Sequence, residues 1–349
     1  MISNNSFNFL RLLLAVLVIL SHSYEISCSG RSCEPLTMLF GTMSFGEFAV
    51  SGFFIVSGYL ITASWVNNPS VPAYLNKRIR RIYPAFIICN LVSLLILAPL
   101  AKGGFDFLAN IDWAGFVLGV VTLSQPKIDN IYPNTIYNSL NISLWSIQYE
   151  FACYLGLMVL MLLFGKRSHA LAWITFCCLL VVYLAGLWLV NSGGPPGSSY
   201  LTKSFIRMPI FFLSGVLIWH NRHRLSQLTA LHLSVISALL FIGMHNSMLA
   251  VPALAIAGSV LLIWFGESTA AAAIRFTNEQ DVSYGVYLYA FPLSQLLYTY
   301  MPGQGPFLNF FLTTIMSVMA GYLSWKAVEK PFLKSKRKFV IAGQRTTAQ

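Results

Sequence analysis

Long apolar runs alternate with short polar stretches along almost the whole chain. An apolar run of about 20 residues is long enough to cross the hydrocarbon core of a bilayer as an α-helix. The pattern therefore predicts an all-α transmembrane bundle of about ten spanning helices. The predicted spans are 7–24, 36–65, 82–100, 143–164, 169–191, 204–219, 229–246, 248–265, 282–300 and 307–327. The segment 113–123 is apolar but too short to span, and we interpret it as re-entrant or surface-lying.

Composition agrees with a membrane protein. The chain is 56% hydrophobic and only 9% charged, whereas an ordinary soluble domain is roughly 25% charged. The net charge of +11 is divided among short basic patches between apolar runs, so we expect no nucleic-acid partner. Basic residues concentrate on the cytoplasmic side of membrane proteins. Lys326 and five stretches hold 16 of the 22 lysines and arginines, which predicts that both termini are cytoplasmic; the stretches are 66–81, 165–168, 220–228, 266–281 and 328–349.

The six cysteines show no metal-ligand spacing, and we expect no metal. Cys28 and Cys33 share the first loop after the first apolar run. They can form a disulfide if that loop lies in an oxidising compartment. The sequence leaves open whether they do.

Arg11 and His22 both lie in the first apolar run. Eleven helical residues are almost three whole turns, which places both side chains on one face, ~16 Å apart. Ionisable groups in a spanning helix are costly and usually face the bundle interior. His22 can serve as a general base for a hydroxyl that attacks an acyl group, or as a transient acyl carrier. The alternative is a histidine that merely reaches toward the membrane interface.

A basic cluster precedes the third predicted helix and comprises Lys77, Arg78, Arg80 and Arg81. Arg78 and Arg81 are three residues apart and share a helix face. Such a cluster can hold the phosphates of a cytoplasmic cofactor through charge-assisted hydrogen bonds. The alternative is an ordinary basic anchor at the membrane surface.

Ser143, Ser146 and Glu150 follow one stripe of the fourth predicted helix. A carboxylate two turns into a membrane helix needs a partner. His22 and Arg11 are the candidate partners. We predict that Glu150 bonds to His22 and orients it, as in nucleophile–base–orienter arrangements. The alternative is a structural ion pair.

Taken together, these residues resemble the acyltransferase-3 family of integral membrane acyltransferases, over about residues 5–333. The resemblance is carried by six motifs in order: Arg11 with His22, FFIVSGYL, the pair Arg78 and Arg81, SLWSIQYE, SYGVYLYAFP and VEKP. It divides the chain into a membrane domain at 1–333 and a short basic tail at 334–349. One departure is Ala290, where many members of the family carry a histidine.

The resemblance implies transfer of an acyl group, commonly acetyl, from cytoplasmic acyl-CoA to a hydroxyl of an exported glycan. The expected acceptor is an O-antigen, another lipopolysaccharide glycan or an exopolysaccharide, free or lipid-linked, and the expected location is a bacterial inner membrane. Within the resemblance, Arg11, His22, Arg78 and Arg81 match functional positions of the family, and Glu150 matches a recurring glutamate. From these matches we predict that His22 and Glu150 are catalytic and that Arg11, Arg78 and Arg81 bind the acyl-CoA. A secondary transporter of acyl groups or glycan precursors is the alternative, and a non-catalytic sensor or scaffold is a third reading.

Overall fold

The computed structural model describes residues 5–132, 135–137, 139–193, 195, 201–224, 227–244, 247, 249–268, 277 and 280–334. Its regular elements, within these residues, are helices. We number twelve of them: α1 (Phe7–Ser27), α2 (Pro35–Phe40), α3 (Phe45–Asn67), α4 (Val71–Lys102), α5 (Trp113–Val121), α6 (Ile142–Phe164), α7 (Ser168–Asn191), α8 (Arg207–Asn221), α9 (Gln227–Gly243), α10 (Ala250–Glu267), α11 (Ser283–Tyr300) and α12 (Pro306–Leu333).

Seven of the described helices are long and apolar enough to cross a membrane, namely α1, α3, α4, α6, α7, α10 and α12. Two further predicted spans, 204–219 and 229–246, correspond to α8 and α9, which have 15 and 17 residues. The remaining one, 282–300, corresponds to α11, which has 18 residues but is not among the seven. The short segment 113–123 contains α5, a helix of only nine residues.

The predicted span 36–65 is wrong at its start, because it contains two helices. α2 ends at Gly41, whose φ of 64° lies in the left-handed region that suits glycine. α3 then begins with a capping box, in which the Ser44 side chain accepts from the Glu47 N–H and the Glu47 side chain accepts from the Ser44 N–H. The pattern S-x-x-E before an apolar run is a recognised start signal that the periodicity masked.

The predicted span 82–100 begins too late. α4 starts at Val71, directly after Asn68, Pro69 and Ser70, and runs to Lys102. The basic cluster therefore lies within the helix rather than before it. The predicted tail at 334–349 lies outside the described residues, apart from Lys334.

The helix α1 lies inside the bundle and packs against α3, α11 and α12. The helices α3 and α8 approach each other most closely where Gly58 faces Gly215. A Cβ atom at Gly58 would collide with the carbonyl oxygen of Phe212, and one at Gly215 with that of Ile55. Small residues let membrane helices approach in this way, and Gly58 and Gly215 have that role between α3 and α8.

Candidate active site

The His22 ring is held by polar contacts at both nitrogens. Nδ1 lies 3.1 Å from Oε2 of Glu25, one helical turn further along α1. Nε2 lies 3.2 Å from Oγ of Ser143, in the first turn of α6. The ring also meets the edge of Phe291, with 5.2 Å between ring centroids. The His22 side chain is 15% exposed and that of Glu25 only 1%, so the imidazole faces an opening while its carboxylate partner is enclosed.

Glu150 is not the partner of His22, so that predicted pairing is wrong. Its carboxylate accepts hydrogen bonds from the hydroxyls of Ser57 on α3 and Tyr154 on α6. Seven helical residues separate Glu150 from Ser143, which is about 10 Å along the axis of α6. Because His22 contacts α6 at Ser143, Glu150 lies roughly that far from the imidazole.

Glu25 is tied to the loop that follows α1. Arg31 Nε lies 2.6 Å from its Oε1, and Arg31 Nη1 lies 3.3 Å from Oε1 of Glu47. Burial lowers the pKa of Arg31, but the adjacent Glu25 and Glu47 carboxylates raise it by more. Cys28 and Cys33 are joined by a disulfide that closes this loop around Arg31. The sequence had left this pairing open.

We call the space beside His22 the histidine cavity. It has a volume of about 730 Å³ and is lined by residues that include His22, Glu25, Glu47, Ser143 and Trp145. Arg207 closes another wall, where it donates to the Glu47 carbonyl oxygen at 3.0 Å and to Ser51 Oγ at 3.2 Å. The cavity therefore combines an imidazole, carboxylates, guanidinium groups and an indole, which together can bind a polar, ring-shaped molecule.

A second space, the basic cavity, has a volume of about 270 Å³ and lies between α3, α4 and α6. Its lining contains the cations Arg11, Lys77, Arg78, Arg80 and Arg81. The structure thus brings together the basic residues that the sequence predicted to bind acyl-CoA.

The arginines of the basic cavity differ in their partners. Arg81 pairs with Asp281 at 2.6 Å and with Glu329 at 3.1 Å, and Arg11 pairs with Asp281 at 3.3 Å. Burial raises the pKa of Asp281, but Arg81 and Arg11 lower it by more, so the carboxyl stays ionised. Two of the predicted binding arginines are therefore neutralised by carboxylates.

Arg78 is the exception in this group. Its guanidinium carbon lies 5.9 and 5.8 Å from the ring centres of Tyr74 and Tyr154, and Nη2 is 3.4 Å from Ser64 Oγ. Its Nε is buried without a hydrogen-bond partner, and no ion pair among the described residues includes Arg78. This guanidinium is therefore available to an anionic ligand.

A small third space of about 30 Å³ shares lining residues with both cavities. Arg11 lines both this space and the basic cavity, and Tyr287 lines both this space and the histidine cavity. Glu150 also lines the small space. The three spaces follow one another along α1 from Arg11 to His22, and the narrow point is the middle one.

Sequence reasoning missed Glu25, Asp281 and Glu329. Glu25 lay one residue beyond the predicted end of the first helix, although H-x-x-E within a helix places the two side chains on one face. Asp281 lies two residues before SYGVYLYAFP, and Glu329 lies within VEKP. Their pairing with Arg81 joins residues 200 and 248 positions apart. The part of the chain that the structure describes holds no group of three or more His, Cys, Asp or Glu side chains suited to a metal.

Comparison with known proteins decides the family. The sequence pattern that defines an acyltransferase domain, the acyltransferase-3 type, matches residues 4–326. The chain belongs to the acyltransferase-3 family. It is therefore an integral membrane enzyme that transfers acyl groups, and the transporter and scaffold alternatives are not retained.

Individual relatives agree with this family. An O-acetyl transferase of Shigella phage Sf6 is 28% identical over 342 residues, which cover 95% of this chain and 96% of the phage protein. Nodulation protein 10 of Rhizobium leguminosarum bv. viciae is 27% identical over 368 residues, covering 96% and 95%. The acyltransferase MdmB of Streptomyces mycarofaciens is 29% identical over 119 residues, covering 34% and 29%. No solved structure matches the chain.

Proposed function

We propose that this acyltransferase moves an acetyl group from cytoplasmic acetyl-CoA to a hydroxyl of an exported cell-surface glycan. The observation that carries the proposal is the succession of spaces along α1, with a cluster of basic side chains at one end and an oriented histidine at the other. The similarity to a phage O-acetyl transferase supports acetyl as the transferred group. An O-antigen, another lipopolysaccharide glycan or an exopolysaccharide, free or lipid-linked, is the proposed acceptor.

The proposed topology has ten crossings, with both termini in the cytoplasm of a bacterial cell and the chain in its inner membrane. The excess of basic residues in alternate loops supports this orientation. The Cys28–Cys33 disulfide lies near His22 rather than near the basic cavity, which agrees with a histidine cavity that faces an oxidising compartment.

The donor binds in the basic cavity. Arg78 makes the main contact with CoA phosphates, assisted by Lys77, because its guanidinium has no carboxylate partner in the part of the chain that the structure describes. Arg11 and Arg81, which share Asp281, shape the wall past which the acyl-bearing arm travels. Glu150 fixes the hydroxyls of Ser57 and Tyr154 beside the narrow space.

His22 carries out the chemistry at the far end. Glu25 accepts the Nδ1 proton and so fixes the tautomer in which Nε2 is free to take a proton from a hydroxyl. The ~16 Å between Arg11 and His22 is about half the ~30 Å hydrocarbon core. An extended pantetheine arm or an acyl relay spans that distance.

The test is NMR of surface glycan from a strain that lacks the gene, complemented with wild type or with His22→Ala. We expect acetyl signals to disappear on deletion and to return only with the wild type. Acetylation that persists without the gene would refute the glycan acceptor. Restoration by His22→Ala would refute the role of the histidine.

A further inference from the structure

The hydroxyl of Ser143 lies within hydrogen-bond distance of Nε2, the nitrogen of His22 that takes a proton in the proposed reaction. Glu25 Oε2 accepts a hydrogen bond from Nδ1 at 3.1 Å, which leaves Nε2 as a hydrogen-bond acceptor, and Ser143 Oγ lies 3.2 Å from it. The three side chains therefore follow the order serine, imidazole, carboxylate. That order is the one in which a histidine activates a serine as a nucleophile.

The backbone of Ser143 is fixed on two sides. Its N–H donates to Asn141 Oδ1 at 3.2 Å, and its carbonyl oxygen accepts from the Tyr287 hydroxyl at 2.6 Å. Ser143 lies in the first turn of α6, and the positive end of a helix dipole favours developing negative charge. The side chain also lines the histidine cavity, so a reacting carbonyl in that cavity can reach it.

We propose that Ser143 is the nucleophile of the reaction and carries the acyl group as a serine ester before it reaches the acceptor. This inference rests on the proposed function and makes the transfer a two-step reaction. Among the described residues, His22 is the only side chain within hydrogen-bond distance of Ser143 Oγ. A hydroxyl from the acceptor would have to displace Ser143 to reach the same nitrogen.

The chemistry balances in both steps. First, Ser143 Oγ attacks the thioester carbonyl of acetyl-CoA, and its proton passes to His22 Nε2. The C–S bond breaks, and the CoA thiolate leaves with that proton as free thiol. Then the acceptor hydroxyl attacks the serine ester and gives its proton to His22, and the same proton returns to Ser143 Oγ as the C–O bond of the ester breaks.

A covalent intermediate is consistent with the small size of the space between the two cavities. The donor approaches from the basic cavity, and only a space of about 30 Å³ separates it from the histidine cavity. Once the acyl group is on Ser143, the thiol can withdraw before the sugar hydroxyl approaches His22. Dividing one difficult step into two easier ones is the general advantage of nucleophilic catalysis.

The test uses the full-length protein in detergent or nanodiscs with acetyl-CoA labelled in the acetyl group and no acceptor. After an acid quench, we expect label on the wild-type peptide that contains Ser143, because a serine ester survives acid while an acylimidazole hydrolyses. Ser143→Ala should carry no label. The matched control is Ser23→Ala, since Ser23 is the chain neighbour of His22 on α1 but its hydroxyl donates to the Ile19 carbonyl oxygen at 2.8 Å, and it should label like the wild type.

Three further measurements keep the test decisive if the ester does not accumulate or if Ser143→Ala folds poorly. Labelled CoA should exchange into acetyl-CoA without acceptor for the wild type but not for Ser143→Ala. Ser143→Cys should form a thioester that neutral hydroxylamine cleaves. Transfer to the acceptor should fall about a thousandfold or more in Ser143→Ala, as when a member of a serine triad is removed.

The inference is overturned if the wild type transfers acetyl without label and without exchange. It is also overturned if the label is lost in acid, or if Ser143→Ala retains transfer within tenfold of the wild type. In each of these cases the proposed function stands. A wild-type protein that neither releases CoA nor acetylates a glycan would refute the proposed function itself.

Discussion

Replacing Glu25 with Gln tests the partner that the structure assigns to His22. The substitution keeps the shape of a side chain that is only 1% exposed but removes its charge. An amide can also donate to Nδ1, which lets the imidazole adopt the tautomer that cannot take a proton at Nε2. Arg31 is half-exposed and keeps Glu47 as a partner at 3.3 Å, so the fold should survive the change.

The expected loss can be bounded. A hydrogen bond to a charged group is worth about 1.5–3 kcal/mol, which corresponds to roughly 10- to 150-fold in rate. The loss of the correct tautomer in a serine triad costs about ten-thousandfold. We therefore expect kcat for acetyl transfer to fall by between about tenfold and ten-thousandfold, with the KM for acetyl-CoA unchanged, because Arg78 lies at the other end of the path.

The assay is CoA release by purified protein in the presence of acceptor glycan, with the thermal midpoint as a check on folding. Glu47→Gln is the matched control, since it removes the other carboxylate that contacts Arg31 but leaves the Glu25–His22 contact intact; it should lose less than about tenfold. A folded Glu25→Gln enzyme with wild-type kcat would refute the reasoning. A Glu150→Gln enzyme more impaired in kcat than Glu25→Gln would restore the pairing predicted from the sequence.

Three further predictions concern the donor site and the fold. Arg78→Ala should raise the KM for acetyl-CoA by about 10- to 100-fold, the value of a charge-assisted bond; an unchanged KM in initial-rate assays would place the phosphates elsewhere. Asp281→Asn should destabilise the protein by about 3–5 kcal/mol, because Arg81 loses a buried partner. The folded-state pKa of Asp281 is lowered, so the difference in thermal midpoint between the wild type and Asp281→Asn should be largest at pH values above 3.8, the ordinary pKa of this carboxyl. The difference should shrink as the pH falls below that value, and a pH-independent difference would contradict the ion pair. Gly58→Ala should lower the thermal midpoint, because its Cβ meets the Phe212 carbonyl; an unchanged midpoint would mean that α3 and α8 can separate freely.

The residues of α1 show what periodicity can predict. The apolar pattern and the spacing of Arg11 and His22 were enough to place both side chains toward the bundle interior. The same pattern ended the helix at residue 24, one position before Glu25. The boundary of an apolar run is therefore a poor guide to the polar residues that complete a site at a helix end.

Glu150 shows where a correct stripe gives a wrong partner. Ser143, Ser146 and Glu150 do follow one side of α6, as the spacing indicates. A stripe fixes the face of a helix but not which level along its axis meets a neighbour. The level is set by tertiary packing, which brings Ser143 to His22 and Glu150 to Ser57.

The arginines of the basic cavity illustrate a third limit. Composition and spacing indicated a phosphate-binding cluster, and the structure gathers the cluster around one cavity. Arg81 differs from Arg78 because it pairs with Asp281 and Glu329, whereas Arg78 has no carboxylate partner within the described ranges. Those contacts join distant parts of the chain, and no local pattern predicts them.

Transfer across the bilayer is the central claim, and proteoliposomes test it most directly. The purified protein is reconstituted with labelled acetyl-CoA sealed inside and glycan from the deletion strain outside. The account predicts labelled glycan outside for the wild type and none for His22→Ala. It also predicts that transfer occurs only when acetyl-CoA is on the side of the membrane that the basic cavity faces. Acetylation that requires donor and acceptor in the same compartment would contradict it.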